Sequence, residues 1–158
     1  MSASGQIRYV LKRFESFATD HGIKVSWDAD SKVKTPSMPP AVYSGVLLNL
    51  YTNALKAVLA ASSSIREPKI AIRAWNERGT HCLEVSDNGV GVPPELRKRI
   101  WDPLYTKTSD TGNPLSSGMG LGLTLVKQVV EGAGGKIALT DDAPPGFNTC
   151  FRVAFRLE

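Results

Sequence analysis

Apolar positions along the chain recur at helical spacing in three segments. Intervals of three and four residues over 7–18 predict an amphipathic helix that His21-Gly22 ends. A longer apolar helix is predicted from about 41 to 61, after three prolines. The glycine-rich segment 118–122 leads into a third predicted helix, which runs to about Val130.

Between these helices the pattern changes to short apolar runs that are typical of strands. Extended segments are predicted at 23–27, 32–35, 69–75, 81–86, 136–140 and 147–157. Pro93 or Pro94 opens a short helix that is predicted to reach Ile100. The pattern predicts an α+β fold, a two-layer sandwich of about three helices on a mixed, mostly antiparallel sheet.

Length and composition narrow the class of protein. A chain of 158 residues with 42% hydrophobic and 22% charged residues fits one folded domain. No apolar run approaches the roughly 20 residues that span a bilayer. The net charge of +4 comes from scattered basic residues, so it indicates no nucleic-acid partner. Cys82 and Cys150 form no CxxC pair, which favours two buried thiols in a reducing compartment.

Two glycine-rich segments are candidates for ligand binding. Gly118, Gly120 and Gly122 precede a helix, and amides freed by glycine at a helix start can bind an anion. A flexible turn without a ligand explains this segment equally well. Asp87 follows an apolar strand, and Gly89 and Gly91 would let backbone approach a flat ligand. For this segment alone an ordinary Asx turn is the simpler interpretation.

A third candidate lies on the long predicted helix. Asn49, Asn53 and Lys56 share one helical face at positions i, i+4 and i+7, beside apolar neighbours. Amide oxygens suit Mg²⁺, and an ammonium group suits phosphate. A solvated polar stripe is the alternative interpretation.

These segments, in this order, resemble the catalytic, ATP-binding domain of bacterial sensor histidine kinases. That domain belongs to the GHKL superfamily, together with DNA gyrase, mismatch-repair ATPases and a heat-shock chaperone, and its fold is of the Bergerat type. The resemblance covers roughly residues 23–158. It relates four boxes and a closing strand to this chain: an N box at 49–56, a G1 box at 87–91, an F box at 101–107, a G2 box at 118–123 and the strand at 147–151.

The resemblance implies a role for each matching residue. Asp87 would accept a hydrogen bond from the adenine amino group, with Thr149 nearby through water, and Gly89 and Gly91 would let the base lie against the backbone. Asn53 would coordinate Mg²⁺, supported by Asn49. The remaining implied contacts to phosphate come from Lys56, Lys107, Gly118, Gly120 and Gly122.

The resemblance also implies a lid over the nucleotide at about 101–117, and the F box departs from the family pattern there. Leu104 stands where an aromatic residue is usual, and Trp101 replaces a phenylalanine. Lys107 comes one residue early, so an ordinary loop lysine is the alternative to a γ-phosphate contact. Residues 1–22 are expected to be a leader and helix, either the end of a dimerisation stalk or a linker, ahead of the catalytic domain at 23–158.

The function implied is donation of the γ-phosphoryl of ATP, with Mg²⁺, to a histidine on a separate dimerisation domain in two-component signalling. Neither His21 nor His81 lies in the expected acceptor motif, so the chain is not expected to phosphorylate itself. A response regulator is the expected downstream partner and the cytoplasm the expected location. The alternatives are an ATPase clamp, a serine kinase of the same fold and a non-catalytic nucleotide sensor; Asn49 favours the kinase over the clamp, because an amide cannot act as a general base.

Overall fold

A computed structural model of the chain describes residues 2–61, 63–65, 67–102 and 122–157. Its elements, in chain order, are α1 (Ala3–Arg13), α2 (Glu15–Asp20), β1 (Lys24–Asp28), α3 (Pro40–Ala60), β2 (Lys69–Glu77), β3 (Thr80–Asp87), two 3-10 turns (Pro94–Leu96 and Arg99–Trp101), α4 (Leu123–Gly132), β4 (Lys136–Leu139) and β5 (Thr149–Arg156). The predicted fold class is confirmed.

The five strands form one mixed sheet in the order β1-β2-β3-β5-β4. Only β1 and β2 pair in parallel, and the other three pairings are antiparallel. The register places Asp87, the last residue of β3, between Ile70 of β2 and Thr149 of β5. The ends of the three central strands therefore meet at one edge of the sheet, where the site lies.

The helices cover one face of the sheet, and the core lies between the two layers. Leu47, Leu50 and Leu55 of α3 are at most 1% exposed, and they belong to the same cluster as Val85 and Val153 of the sheet. Alternation along β3 and β5 sends every second side chain into this core. The long helix is therefore held rigidly against the strands that carry Asp87 and Thr149.

The first predicted helix is divided into α1 and α2. Phe14 leaves helical geometry (φ −118°, ψ 16°), and its ring packs edge-on against Tyr51 of α3. α1 also begins at Ala3, because the Ser2 hydroxyl caps the helix by accepting a hydrogen bond from the Gly5 amide at 3.2 Å. Ile7 and Val10 are buried in the same core as α3. The boundary expected at residue 22 stays a prediction.

Three local predictions are wrong. Residues 32–35 form no strand, since only an isolated bridge joins Lys34 to Ser2. Residues 93–100 contain short 3-10 turns and no α-helix; the Leu96 amide, for example, donates to the Pro93 carbonyl three residues before it, at 2.9 Å. β5 begins at Thr149 and not at Phe147, whose amide donates to the Pro144 carbonyl in the preceding turn.

The sheet face away from the helices carries a buried acid between two arginines. Glu84 of β3 accepts hydrogen bonds from Arg73 of β2 at 3.0 Å and from Arg152 of β5 at 2.6 Å. Arg73 also lies over the Trp75 ring, 4.6 Å from its centroid. These contacts cross-link the three central strands and hold their ends in register at the site.

A histidine is buried in the core at the opposite end of β3. His81 is fully buried; its Nδ1–H donates to Asn76 Oδ1 at 2.8 Å, and its Nε2 accepts from the Tyr43 hydroxyl at 2.7 Å. Burial lowers the pKa of His81 to about 4, against a smaller opposing effect of a backbone bond to Lys34. Burial also raises the pKa of Tyr43. The neutral ring therefore joins the N-terminal part of α3 to the sheet.

Candidate nucleotide-binding site

The loop that follows β3 is held closely by Asp87, the last residue of that strand. Asp87 is 1% exposed, and its Oδ1 accepts the Gly89 amide at 2.8 Å. Gly91 has a φ of +74°, a conformation that favours glycine. The predicted Asx-type turn is present, and it places a buried carboxylate at the base of a loop that is rich in glycine.

The same loop packs directly on α3. A Cβ at Gly89 would overlap the backbone of Ala57 and Val58, so only glycine fits there. The Val90 amide donates to the Ala57 carbonyl at 3.2 Å. The glycine that was predicted to approach a flat ligand therefore approaches a helix backbone. It brings the G1 box into contact with the helix that carries the N box.

The amides of the N box lie on successive turns of α3. Asn53 precedes Ala57 by one turn, about 6 Å along the axis, and Asn49 by two turns, about 12 Å. Asn53 is half-buried, as is Asn49, whose Nδ2 donates to the Gly45 carbonyl at 2.7 Å. Of the two amides, Asn53 is therefore closer to the loop of Asp87.

Lys56 is the neighbour of Ala57 and is half-buried on the same helix. Burial lowers the pKa of its ammonium group. A cation that is partly removed from water binds a nearby anion more strongly than an exposed one, which suits a contact to phosphate.

Thr149 meets Asp87 across the β3–β5 pair, as the two roles predicted for them require. Thr149 is buried, and its hydroxyl donates to Asn148 Oδ1 at 3.4 Å. Sequence reasoning placed Asn148 beside Thr149 without giving it a role. The Asn148 side chain donates from Nδ2 to the Gly89 carbonyl at 2.8 Å, and the Asn148 backbone amide donates to the Asp87 carbonyl at 3.0 Å.

Asn88 is a second residue whose part the sequence did not reveal. Its Oδ1 accepts the Lys69 amide, and its Nδ2 donates to the Glu67 carbonyl, both at 2.8 Å. It fastens the loop to the start of β2. An asparagine inside a glycine-rich turn could have indicated this role, because asparagine side chains commonly form hydrogen bonds with nearby backbone groups.

The start of the predicted lid is anchored to the domain. Trp101 packs edge-on against Phe151, and its carbonyl accepts the Thr124 hydroxyl at 2.5 Å. Lys127 of α4 lies over the indole, 5.4 Å from its centroid. Trp101 thus fills an apolar position, as predicted, and ties the lid entry to α4.

Several predicted residues lie outside the described part of the chain. They are Leu104, Lys107, Gly118 and Gly120, together with the rest of the lid beyond Asp102. Gly122 is described: it is the N-cap of α4, it is exposed, and its carbonyl accepts the Leu125 amide at 2.9 Å. The predicted opening of this helix after a glycine is confirmed.

The donor set fits a magnesium ion that is held mainly by a nucleotide. Within the described ranges no three acidic, histidine or cysteine side chains cluster as a metal site. Mg²⁺ usually keeps several waters and is bound by one or two carboxylates and by substrate phosphates. The side-chain oxygen of Asn53 would be its ligand from α3.

The helices of the described residues include none that is long and apolar enough to cross a membrane.

Comparison with known proteins indicates one protein family. Residues 43–158 match the sequence model of the family described as histidine kinase-, DNA gyrase B- and HSP90-like ATPases. The sensor histidine kinase AruS of Pseudomonas aeruginosa is 35% identical over 112 residues, which are 71% of this chain and 11% of that protein. This chain therefore spans only a small part of that relative.

Solved structures share the fold. The nucleotide-free catalytic domain of the histidine kinase ThkA has a TM-score of 0.79 at 22% identity, covering 99% of this chain and 93% of that one. ThkA in complex with the response regulator TrrA has a TM-score of 0.74 at 21% identity, covering 100% and 41%. Because the family model matches most of the chain, this protein belongs to the histidine kinase-, DNA gyrase B- and HSP90-like ATPase family.

Proposed function

We propose that this chain binds ATP with Mg²⁺ and donates the γ-phosphoryl to a histidine on a separate dimerisation domain. The observation that carries the proposal is the buried Asp87 carboxylate, placed beside Thr149 and under a glycine loop that packs on the N-box helix. Membership of an ATPase family supports a nucleotide as the ligand.

The adenine end of the site is formed by the strand ends. Asp87 accepts a hydrogen bond from the adenine amino group, and Thr149 contributes through water. A buried carboxylate is a strong acceptor for a hydrogen bond from the base. Gly91 has a positive φ, a conformation that favours glycine, so the loop carries no Cβ at that position. This end therefore selects the base, whereas the N-box helix serves the phosphates.

The phosphate end is formed by α3 and by the G2 box. Lys56 neutralises phosphate charge, and Gly118, Gly120 and Gly122 offer amides to phosphate oxygens. Asn53 holds Mg²⁺ through its side-chain oxygen, and Asn49 supports it. When bound, Mg²⁺ neutralises negative charge on the phosphates. Lys107 contributes a further contact to the γ-phosphate.

Replacing Asn53 by alanine should reduce the effect of Mg²⁺ on nucleotide binding, since the proposed protein ligand is lost. We expect the extra thermal stabilisation by ATP with Mg²⁺, over ATP alone, to fall by at least half in Asn53→Ala. Ser44→Ala, on an earlier turn of the same helix, is the matched control. An unchanged difference in Asn53→Ala would contradict the metal role.

Transfer is favoured over hydrolysis because Asn49 offers no base for water. Asn49, at the position where a clamp ATPase carries a glutamate, has an amide that cannot take up a proton. The proposed reaction breaks the bond between the γ-phosphorus and its bridging oxygen, forms a bond to an imidazole nitrogen and releases ADP. The attacking nitrogen is the unprotonated one of the neutral ring, and the proton on the other ring nitrogen passes to a base on the acceptor domain.

The acceptor must come from outside this chain. His81 is fully buried, with both ring nitrogens in hydrogen bonds, so it cannot reach a phosphate. His21 follows α2, where its Nδ1 donates to the Phe17 carbonyl at 2.9 Å and its ring stacks on Phe17. Neither environment resembles an exposed acceptor on a long helix.

The direct test uses γ-labelled ATP. Alone, the chain should take up no label and should release phosphate very slowly, because in-line positioning of the acceptor supplies much of the catalysis. Addition of a matching histidine-containing dimerisation domain should label that domain with acid-labile phosphate.

Other outcomes would favour the alternatives. Acid-stable label on a serine of the partner would indicate a serine kinase, and rapid ATP turnover by this chain alone would indicate a clamp ATPase. ATP binding without transfer to any matching domain would indicate a nucleotide sensor. Asn53→Ala should abolish both phosphoryl transfer and ATP hydrolysis by this chain. An activity that remains in this variant would come from a contaminating enzyme.

The proposal extends to partners and location. A neighbour of this chain, ThkA, is described in complex with a response regulator, and we propose a response regulator as the receiver of the phosphoryl group. We place the domain in the cytoplasm, where ATP is available and where the thiols of Cys82 and Cys150 stay reduced. We propose that it contacts neither nucleic acid nor a membrane.

A further inference from the structure

Asn148 joins three residues of the adenine end of the site. Its backbone amide donates to the Asp87 carbonyl at 3.0 Å, and its Nδ2 donates to the Gly89 carbonyl at 2.8 Å. Its Oδ1 accepts from the Thr149 hydroxyl at 3.4 Å. One side chain therefore connects the loop after β3 with the start of β5.

Without this side chain the loop and the strand would be tied less closely. Asn88 fastens the loop to the other side, to Lys69 of β2, and Val90 fastens it to Ala57 of α3. Neither contact reaches Thr149. The side chain of Asn148 also lies 3.8 Å from the position of a Cβ on Gly91, in ordinary contact with the loop. Asn148 thus joins the loop to the Thr149 hydroxyl, in addition to the pairing of Thr149 with Asp87 in the sheet.

We infer that Asn148 is a positioning residue that determines selectivity for a 6-aminopurine nucleotide over a 6-oxopurine one. This inference rests on the proposed function. Asp87 and Thr149 reject a 6-oxo group only if they cannot move to accommodate it, since a polar site discriminates by leaving mismatched groups unpaired. Asn148 is exposed, so its own polar groups are reachable by solvent and its removal leaves little void.

The test compares ATP and GTP binding, with Mg²⁺, by calorimetry or by displacement of a fluorescent nucleotide. The unaltered chain should prefer ATP. Asn148→Ala should weaken ATP binding by about tenfold and change GTP binding by less than about twofold, so that the ratio of affinities falls at least fivefold or so. A general loss of stability would instead weaken both nucleotides together.

A second variant separates the two side-chain bonds. Asn148→Asp has nearly the same size and keeps an oxygen for Thr149, but it has no donor for the Gly89 carbonyl. It should lose selectivity at least as strongly as Asn148→Ala. It also serves the test if the alanine variant fails to fold.

Asn76→Ala is the matched control, because it removes a carboxamide bonded to His81 at the far end of β3. It should lower the melting temperature and leave the ATP-to-GTP ratio unchanged. An unchanged ratio in both Asn148 variants, with selective ATP binding by the unaltered chain, would overturn this inference alone. Failure of the unaltered chain to bind ATP selectively would overturn the proposed function together with it.

Discussion

Replacing Asp87 by asparagine should weaken ATP binding at least about tenfold. The Asp87 side chain is buried, and its Oδ1 accepts the Gly89 amide at 2.8 Å. An amide can keep one oxygen for Gly89, but it presents an NH₂ group where the carboxylate had its second oxygen. In the proposed site that donor would face the adenine amino group. A buried mismatch of this kind costs about 1–3 kcal/mol, and each 1.4 kcal/mol is a factor of ten in affinity.

Calorimetry on the unaltered chain and on Asp87→Asn measures this effect. Asp28→Asn, at an exposed position on β1, is the matched control for loss of one carboxylate charge and should bind ATP normally. Melting curves without nucleotide show whether Asp87→Asn retains the fold. Equal affinities in the unaltered chain and in folded Asp87→Asn would remove Asp87 from the adenine site.

The second large effect is a loss of stability in acid. The folded-state pKa of His81 is lowered to about 4, because the ring is buried, from an ordinary value of 6.5. Between these two values the unfolded chain binds a proton that the folded chain does not, so the free energy of unfolding falls as the pH falls from 6.5 towards 4. At 1.36 kcal/mol per pH unit the loss approaches about 3 kcal/mol, and above pH 6.5 the contribution is complete.

Denaturant unfolding at several pH values measures this dependence. His81→Gln removes the titrating group and keeps polar atoms for Tyr43 and Asn76, so we expect a lower stability at pH 7 and a flatter profile between pH 6.5 and 4.5. His21→Gln, at an exposed histidine, controls for removal of an imidazole. If His81→Gln is too unstable to measure, a proton NMR titration of the His81 ring in the unaltered chain decides; a midpoint near 6.5 would contradict the prediction.

Much of the candidate site could be predicted from local sequence. Asp87 and Gly89 lie in a short polar motif after an apolar strand, and Thr149 lies near the last strand. The sequence predicts these residues because the motifs match a known order of boxes. Such motifs can be recognised in the sequence without knowing which helices and strands are in contact. Asn148 and Asn88 were not assigned roles, because their bonds join segments 59 and 21 residues apart in the chain.

The role of Gly89 was understood only in part. Its spacing predicted a close backbone approach, and the structure shows one, but the partner is the backbone of Ala57. That contact depends on how α3 lies across the sheet, which no local pattern encodes. The same holds for His81, which the sequence identified as structural without revealing its bond to Tyr43, 38 residues away.

The sequence by itself determined the helices, most of the strands and the fold class, because hydrophobic periodicity is a local property that burial of one face imposes. It indicated the boxes in a different way, through short motifs whose order resembles that of a known family. Only the tertiary structure decided the break at Phe14, the 3-10 turns at 94–101 and the late start of β5 at Thr149. Each of these features depends on a contact or hydrogen bond that outweighs local propensity. The sheet order β1-β2-β3-β5-β4 pairs β3 with β5 and so brings together Asp87 and Thr149, which are 62 residues apart in the chain.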